Sequence, residues 1–324
     1  MKIASLFSGC GGLDLGFKEA GFDIIYANDN AKWVWETYEK NHKMKIDKRS
    51  ITEVASEDIP KVIGIIGGPP CQSWSLAGAM RGIKDPRGKL FYEYIRILKD
   101  KRPLFFLAEN VPGIISKKHK SEFLKIIKEL EKLDYLVSYK LVNSKDYSVP
   151  EERKRVIIVG YHKSLGKRFV FPEKNNKKVS LKEAIGDLPE AKPAADKNKH
   201  REDLSIPNHE YLTGSFSTIY MSRNRKRNWD EQSFTIQAGA RHAPLHPSSC
   251  DMIKIGVDKM KFVGEKYRRL SVRECAKIQT FPDDFIFYYK NVPDGYKMIG
   301  NAVPVLLSKE IAKKIKADLK EIKK

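Results

Sequence analysis

Lys2-Ile3-Ala4-Ser5-Leu6-Phe7-Ser8-Gly9-Cys10-Gly11-Gly12-Leu13-Asp14-Leu15-Gly16-Phe17-Lys18-Glu19-Ala20-Gly21-Phe22-Asp23-Ile24-Ile25-Tyr26-Ala27-Asn28-Asp29 reads as strand, glycine-rich turn, helix stopped by glycine, second strand, acidic residue. That order is a βαβ half of a nucleotide-binding sheet. Gly9, Gly11 and Gly12 let the backbone approach a ligand closely, and Asp29 can accept hydrogen bonds from ribose hydroxyls. The spacing departs from Gly-x-Gly-x-x-Gly, because Asp14 stands at the last glycine position. An adenosyl ligand without a pyrophosphate therefore fits better than a dinucleotide.

Working outward, apolar runs at 62–66, 104–108 and 156–160 predict further strands, and 90–98 and 123–133 carry apolar residues at helical spacing. Strands alternating with helices predict an α/β fold with a doubly wound, mostly parallel sheet, whose ligands sit beyond the carboxyl ends of the strands. The character changes after Phe171. Residues 172–201 are rich in Lys, Asn and Pro, with one helical island at 181–188. Residues 211–247 mix aromatics, hydroxyls and arginines with little periodicity, which predicts a smaller, irregular domain of short strands and loops. Regular structure returns after Tyr267, with a capping box at Ser271 and Glu274 and a basic helix over 305–320.

Composition narrows the class. The chain has 324 residues, 41% of them hydrophobic, enough for a large core and a second smaller one. No apolar run approaches the length of a membrane span and no signal-peptide pattern opens the chain, so a soluble, cytoplasmic protein is expected. Four unevenly spaced cysteines predict reduced thiols rather than a disulfide framework. A net charge of +20 points to a polyanionic partner, for which nucleic acid is the commonest candidate.

Gly67-Gly68-Pro69-Pro70-Cys71-Gln72-Ser73-Trp74-Ser75 follows the apolar run at 62–66. A thiol on a stiff Pro-Pro turn at the end of a buried strand is presented as a nucleophile, although an isolated free cysteine is more often an inert core residue. Glu109, in Glu109-Asn110-Val111-Pro112-Gly113, ends another buried strand. A carboxylate there could protonate a ring nitrogen while the thiolate attacks the adjacent carbon, or simply answer a helix dipole. Val149-Pro150-Glu151-Glu152-Arg153-Lys154-Arg155 precedes a further strand. By itself it reads as a solvated charged turn, but arginines beside a thiol would lower its pKa and bind an oxygen or phosphate. His242, His246 and Cys250 carry a metal-like spacing that Pro244 and Pro247 break, so no metal is expected.

Phe7-Ser8-Gly9-Cys10-Gly11-Gly12, Gly68-Pro69-Pro70-Cys71-Gln72, Glu109-Asn110-Val111, Arg153-Lys154-Arg155, Arg268-Arg269-Leu270-Ser271-Val272-Arg273-Glu274 and Gly300-Asn301-Ala302-Val303-Pro304 resemble, in order, the motifs of DNA (cytosine-5) methyltransferases of type II restriction-modification systems. The resemblance spans nearly the whole chain. It implies a Rossmann-like methyltransferase sheet, with a catalytic, cofactor-binding domain formed by 1–171 and 268–324 and a target-recognition domain at 172–267. It implies transfer of a methyl group from S-adenosylmethionine to C5 of a flipped cytosine in duplex DNA. Cys71 is the implied nucleophile at C6, Glu109 the partner of N3 and the exocyclic amine, Arg155 a donor to O2, and Arg153 a support for that loop. By the same resemblance the cofactor lies over Phe7, Ser8, Gly9, Gly11, Gly12 and Leu13, with Asp29 on the ribose and Asn30, Ser50, Ile51, Pro70, Leu90, Asn301 and Ala302 around it.

Three positions depart from the family pattern. Asn30 stands where an aromatic residue usually follows the ribose-binding acid, Ser50 where an aspartate usually accepts from the adenine amine, and Glu151 where glutamine is common. A softer adenine site is expected. In the segment 215–229, in Phe234-Thr235-Ile236-Gln237-Ala238 and in Asp85-Pro86-Arg87-Gly88-Lys89-Leu90-Phe91-Tyr92-Glu93-Tyr94-Ile95-Arg96 the chain resembles GGCC-methylating members. Arg223, Arg225 and Arg227 alternate, so in an extended segment they would point the same way, and arginine is the usual bidentate reader of guanine. Arg225, Arg227 and Arg241 are expected guanine readers, with Gln72, Ser75, Arg81, Arg223 and Gln237 also on DNA. The resemblance further implies a monomer that works alongside a restriction endonuclease without a stable complex.

Rival readings fit less well. A zinc cytidine deaminase needs Pro-Cys-x-x-Cys, and Trp74 occupies its second cysteine position. An amino-group methyltransferase would place an aromatic residue where Cys71 stands. A tRNA cytosine-5 methyltransferase shares the cysteine chemistry but does not call for the arginine-bearing segment. A catalytically inactive DNA-binding relative would not need Cys71, Glu109 and Arg155 together.

Overall fold

The computed structural model describes residues 1–70, 90–175 and 177–321. Cys71, Gln72, Ser75 and Arg81 lie outside the described residues.

The opening βαβ forms as read: β1 (Lys2–Leu6), α1 (Gly12–Glu19) and β2 (Asp23–Asn28), followed by α2 (Lys32–His42). β3 (Gly64–Gly67), α3 (Leu90–Lys101), β4 (Phe105–Asn110), α4 (Lys120–Lys132), β5 (Tyr135–Asn143) and β6 (Lys154–His162) complete the main sheet. Its order is β2-β1-β3-β4-β6-β5. The β1–β2, β1–β3 and β3–β4 pairs are parallel, and β6 runs antiparallel between β4 and β5. β5 escapes the sequence reading. It is an edge strand with Tyr139 and Leu141 exposed and with Ser138 and Lys140 alternating with them, so it carries no continuous apolar run.

Helices cover both faces of the sheet, as buried strands require. Phe91, Tyr94, Ile97 and Leu98 of α3 and Phe123, Ile126 and Leu130 of α4 pack on Ile65, Phe106 and Ile158. Phe17 of α1 packs with Leu307, Ile311 and Ile315 of α8 (Val305–Glu321) against Ile66, Phe105 and Leu107 on the opposite face. Removing a side chain such as Phe105 from this layer would cost about 3–5 kcal/mol.

The remaining elements are short: α5 (Leu181–Ile185), β7 (Lys192–Pro193), β8 (Glu210–Tyr211), the hairpin β9 (Met252–Gly256) and β10 (Lys259–Phe262), α6 (Val272–Ile278) and α7 (Val292–Asn301). Capping boxes at Ser180 with Glu183 and at Ser271 with Glu274 start α5 and α6, satisfying backbone N–H groups that would otherwise be unpaired. Leu181, Ile185, Leu212, Ile236 and Ala240 share one apolar cluster with Leu270, Val272, Tyr296 and Ile299. Tyr220, Leu245 and Met252 form a smaller core of their own beside the hairpin. Among the described residues, no helix is long and apolar enough to cross a membrane.

Candidate active site

The parallel strands β1, β2, β3 and β4 all end toward one cavity of about 600 Å³, and its wall draws on each of the following turns. Phe7, Ser8, Gly9, Gly12 and Leu13 line it after β1, Asp29 and Asn30 after β2, Pro70 after β3, and Asn301 and Ala302 at the end of α7. Glu109 and Arg155 complete the wall from β4 and β6. Gly11, Ser50, Ile51 and Leu90, expected around the cofactor, are not among the lining residues. Gly11 turns away with φ +88, and a Cβ there would stand 2.0 Å from His42 Nε2. Ser50 Oγ is 2.8 Å from Thr52 Oγ1, Ile51 is buried in the core under α3, and Leu90 packs at the start of that helix.

Asp29 is held in place from several sides. Its Oδ2 accepts from Gly9 N at 2.8 Å, its Oδ1 from Ala31 N at 2.9 Å, and Trp35 Nε1 donates to its carbonyl at 2.8 Å. Burial raises its pKa while the Ala31 and Gly9 amides oppose the rise. The glycine-rich turn is backed by a buried set in which Asp14 accepts from Ser5 Oγ and Tyr38 Oη, both at 2.6 Å. Asp14 is pushed up to about 6 by burial. At Gly9 a Cβ would meet no atom within 4 Å, so the cavity comes up to bare backbone there. A half-buried carboxylate at a strand end, an open glycine cradle and a space of this size fit an adenosyl ligand.

At the other end of the cavity, Arg155 Nε lies 2.8 Å from Glu109 Oε1. Burial raises the Glu109 pKa, and Arg155 and Arg153 pull it back. Asn110 Nδ2 donates to Pro69 O at 3.2 Å, tying the Pro-Pro turn before Cys71 to the strand that carries Glu109. Arg153 does not face the cavity. It is 1% exposed and donates to Ile236 O at 2.8 Å, Gly300 O at 2.7 Å and Ala302 O at 2.8 Å, joining three segments. Glu151, where glutamine is the commoner residue, accepts from Ile236 N at 2.6 Å through Oε1, and its Oε2 is buried with no hydrogen-bond partner.

The expected arginine row is not formed. A 3₁₀ turn at Tyr220–Ser222 precedes Arg223, which is exposed with Asn224. Arg225 turns inward, 6% exposed, donating to Tyr220 O at 3.0 Å and Ile219 O at 2.9 Å. Arg227 lies over the Phe234 ring and pairs with Glu231 at 2.8 Å and Glu152 at 3.2 Å. An extended strand would align the three side chains, but local carbonyls and carboxylates claim two of the three guanidinium groups. Arg241 is exposed in the 3₁₀ turn Ala240–His242, and Gln237 sits beside the cavity residue Ala238. The His246 ring is engaged by Ser248 Oγ at 2.6 Å.

The family profile described as C-5 cytosine-specific DNA methylase matches residues 1–317. The chain belongs to that family. It is 62% identical over 326 residues to the type II methyltransferase M.MthTI of Methanothermobacter thermautotrophicus, covering 99% of each chain. It is 57% identical to the type II methyltransferase M.FnuDI of Fusobacterium nucleatum, covering 100% of this chain and 96% of that one. The methyltransferase EhMeth of Entamoeba histolytica superposes with a TM-score of 0.72 at 17% identity over 98% of both chains, a likeness of fold alone. The protein is thus a DNA cytosine-5 methyltransferase, with S-adenosylmethionine as methyl donor.

Sequence reasoning missed Trp33, Asn110, Val111, Ala238 and Val303, all on the cavity wall of this methyltransferase. Asn110, Val111, Ala238 and Val303 had a signal, since they stand in stretches that resemble the family; Trp33 had none.

Proposed function

We propose that this methyltransferase modifies cytosine in duplex GGCC sites through a covalent adduct with Cys71, and that the 600 Å³ cavity holds both the donor and a flipped base. The observation that carries the reading is the Glu109–Arg155 pair on the wall it shares with Pro69, Pro70 and Asp29. S-adenosylmethionine supplies an electrophilic methyl group on a sulfonium. Asp29 accepts from its ribose, and Gly9, Gly12 and Asn301 shape its bed.

Cytosine C5 has no lone pair to offer until the ring conjugation is broken. The Cys71 thiolate adds to C6, forming a C–S bond and moving the ring π electrons toward C5. Glu109, whose pKa burial raises against the pull of Arg155 and Arg153, donates to N3 and accepts from the exocyclic amine, so negative charge does not build on the ring. Arg155 donates to O2 and keeps Glu109 in place. Once C5 carries the methyl group, its proton passes to solvent water, the C5–H electron pair re-forms the C5–C6 double bond and expels Cys71 as the thiolate, and N3 returns its proton to Glu109. Arg153 acts only through the segments it joins.

Residues 1–171 with 268–324 carry this chemistry, and 172–267 read the site. Arg223 and Arg241 are free to meet guanine or phosphate directly. Arg225 and Arg227 reach guanine by exchanging their present carbonyl and carboxylate partners for it. The enzyme works in the cytoplasm as a monomer, protecting DNA from a matching endonuclease without binding it.

Labelled S-adenosylmethionine with duplex DNA and with tRNA tests the substrate, and a GGCC duplex bearing 5-fluorocytosine tests the adduct. Label on GGCC duplexes and a trapped complex absent in Cys71→Ser are expected. Label on tRNA alone, or trapping that survives Cys71→Ser, overturns the reading.

A further inference from the structure

Among the described residues lining the cavity, Phe7 and Trp33 are the aromatic ones, and Trp33 has no part in the chemistry above. It lies in the first turn of α2, four residues beyond Asp29. The start of α2 is pinned to Asp29 on both sides of it, by the Ala31 amide on Oδ1 and the Trp35 indole N–H on the Asp29 carbonyl. The half-buried Trp33 ring therefore has a set position relative to the carboxylate proposed to hold the ribose. Lys297 Nζ of α7 sits 4.4 Å from the centroid of that ring, covering one face and restricting its rotation. Asn30, the nearer neighbour of Asp29, is exposed and offers an amide rather than a ring.

A purine attached to a ribose at Asp29 must lie within one sugar width of that carboxylate. An adenine there needs a flat apolar face, because its ring has π surface above and below and hydrogen-bonding groups only at its edge. Of the two tryptophans that the start of α2 holds near Asp29, Trp33 is the one that lines the cavity.

We propose that Trp33 supplies the aromatic face on which the adenine of S-adenosylmethionine stacks, in place of the residue at position 30. The proposal rests on assigning this cavity to the cofactor. Lys297 braces the ring from α7, whose end supplies Gly300 and Asn301 to the same wall.

Calorimetric binding of S-adenosylhomocysteine to the full-length protein without DNA tests this apart from turnover. Trp33→Ala is expected to weaken binding about tenfold, and Trp33→Phe to restore it to within about threefold of wild type. Methylthioadenosine, which keeps only the adenosine end, loses the same factor. Ligand binding quenches tryptophan fluorescence in the wild type, and that quench is absent from Trp33→Phe although Trp35, Trp74 and Trp229 remain. Binding by Trp33→Ala within about twofold of wild type, or an undiminished quench in Trp33→Phe, overturns the proposal. If Trp33→Ala does not fold, the Trp33→Phe quench decides. Asp29→Asn separates the two readings: weakened binding there with Trp33→Ala unaffected refutes Trp33 alone, and binding indifferent to both refutes the cavity assignment.

Discussion

Arg155 Nε stands 2.8 Å from Glu109 Oε1, with 12% and 11% of the two side chains exposed. The pair opposes two effects. Burial favours the neutral carboxylic acid, and the guanidinium favours the carboxylate. In the mechanism proposed above, Glu109 gains from the former as the donor to N3 and is held in place by the latter.

The pH profile of methylation should carry this balance. Activity that requires protonated Glu109 falls as pH rises through its elevated pKa. Arg155 lowers that pKa, so Arg155→Met should move the falling limb to higher pH while reducing the rate. Glu109→Gln should remove the limb and slow single-turnover methylation by about 10²–10⁴. A limb unmoved in Arg155→Met would mean that another group sets it.

Arg153→Ala should unfold more easily by about 3–5 kcal/mol, because it strips the donor from the Ile236, Gly300 and Ala302 carbonyls at once and leaves Glu151 buried without its cation. Arg153→Lys should recover only part, since an ammonium lacks the planar fork that spans these acceptors. Denaturant unfolding monitored by circular dichroism measures both.

The arginine segment separates structural from reading roles. Arg223→Ala and Arg241→Ala should leave the unfolding free energy unchanged. Each should either relax discrimination at GGCC by about 1–3 kcal/mol, marking a guanine contact, or weaken all DNA alike and lower the salt dependence, marking a phosphate contact. Arg225→Ala should also cost about 1 kcal/mol of stability, because the Ile219 and Tyr220 carbonyls lose their donor. Full stability in Arg225→Ala would show that its inward hydrogen bonds are dispensable.

Asp14 makes folding itself pH-dependent. Its pKa in the fold is about 6 against an ordinary 3.8, so the neutral form is the one the fold favours. The stability it adds is fully present below its unfolded pKa and is lost as pH rises from about 4 through about 6. Asp14→Asn should flatten the stability curve over that interval by on the order of 3 kcal/mol. Urea midpoints at several pH values would reveal an unchanged slope if Asp14 were not responsible.

What could be read from sequence follows from the range of each signal. β1, the glycine-rich turn and Asp29 were legible because alternation, chain reversal and strand end all lie within thirty residues. The capping boxes at Ser180 and Ser271 are likewise local hydrogen-bond patterns. β5 was not legible, since an edge strand can expose Tyr139 and Leu141 and so has no uniform pattern. The inward turn of Arg225 left no trace either, because its acceptors are backbone carbonyls that every residue type possesses. Ala238 reaches the cavity by packing against Gly300, far from it in the chain, and Trp33 reaches it from the first turn of α2, which no motif marks.

Gly300, near the end of α7, packs directly against the backbone of Gln237 and Ala238. A Cβ there would stand 2.3 Å from Ala238 N, 2.3 Å from Gln237 C and 2.5 Å from Ala238 Cα, all of them backbone atoms without a rotamer to yield. Gly300→Ala must therefore push the 237–238 segment away from the end of α7, stretching the Arg153 bonds to Ile236 and Gly300. The overpacking should cost about 1–3 kcal/mol of stability. Because Ala238 and Asn301 both line the cavity, the same displacement should weaken S-adenosylhomocysteine binding and duplex binding together. A stability loss alone, with both ligands bound as in the wild type, would mean that the two segments can separate without disturbing either site.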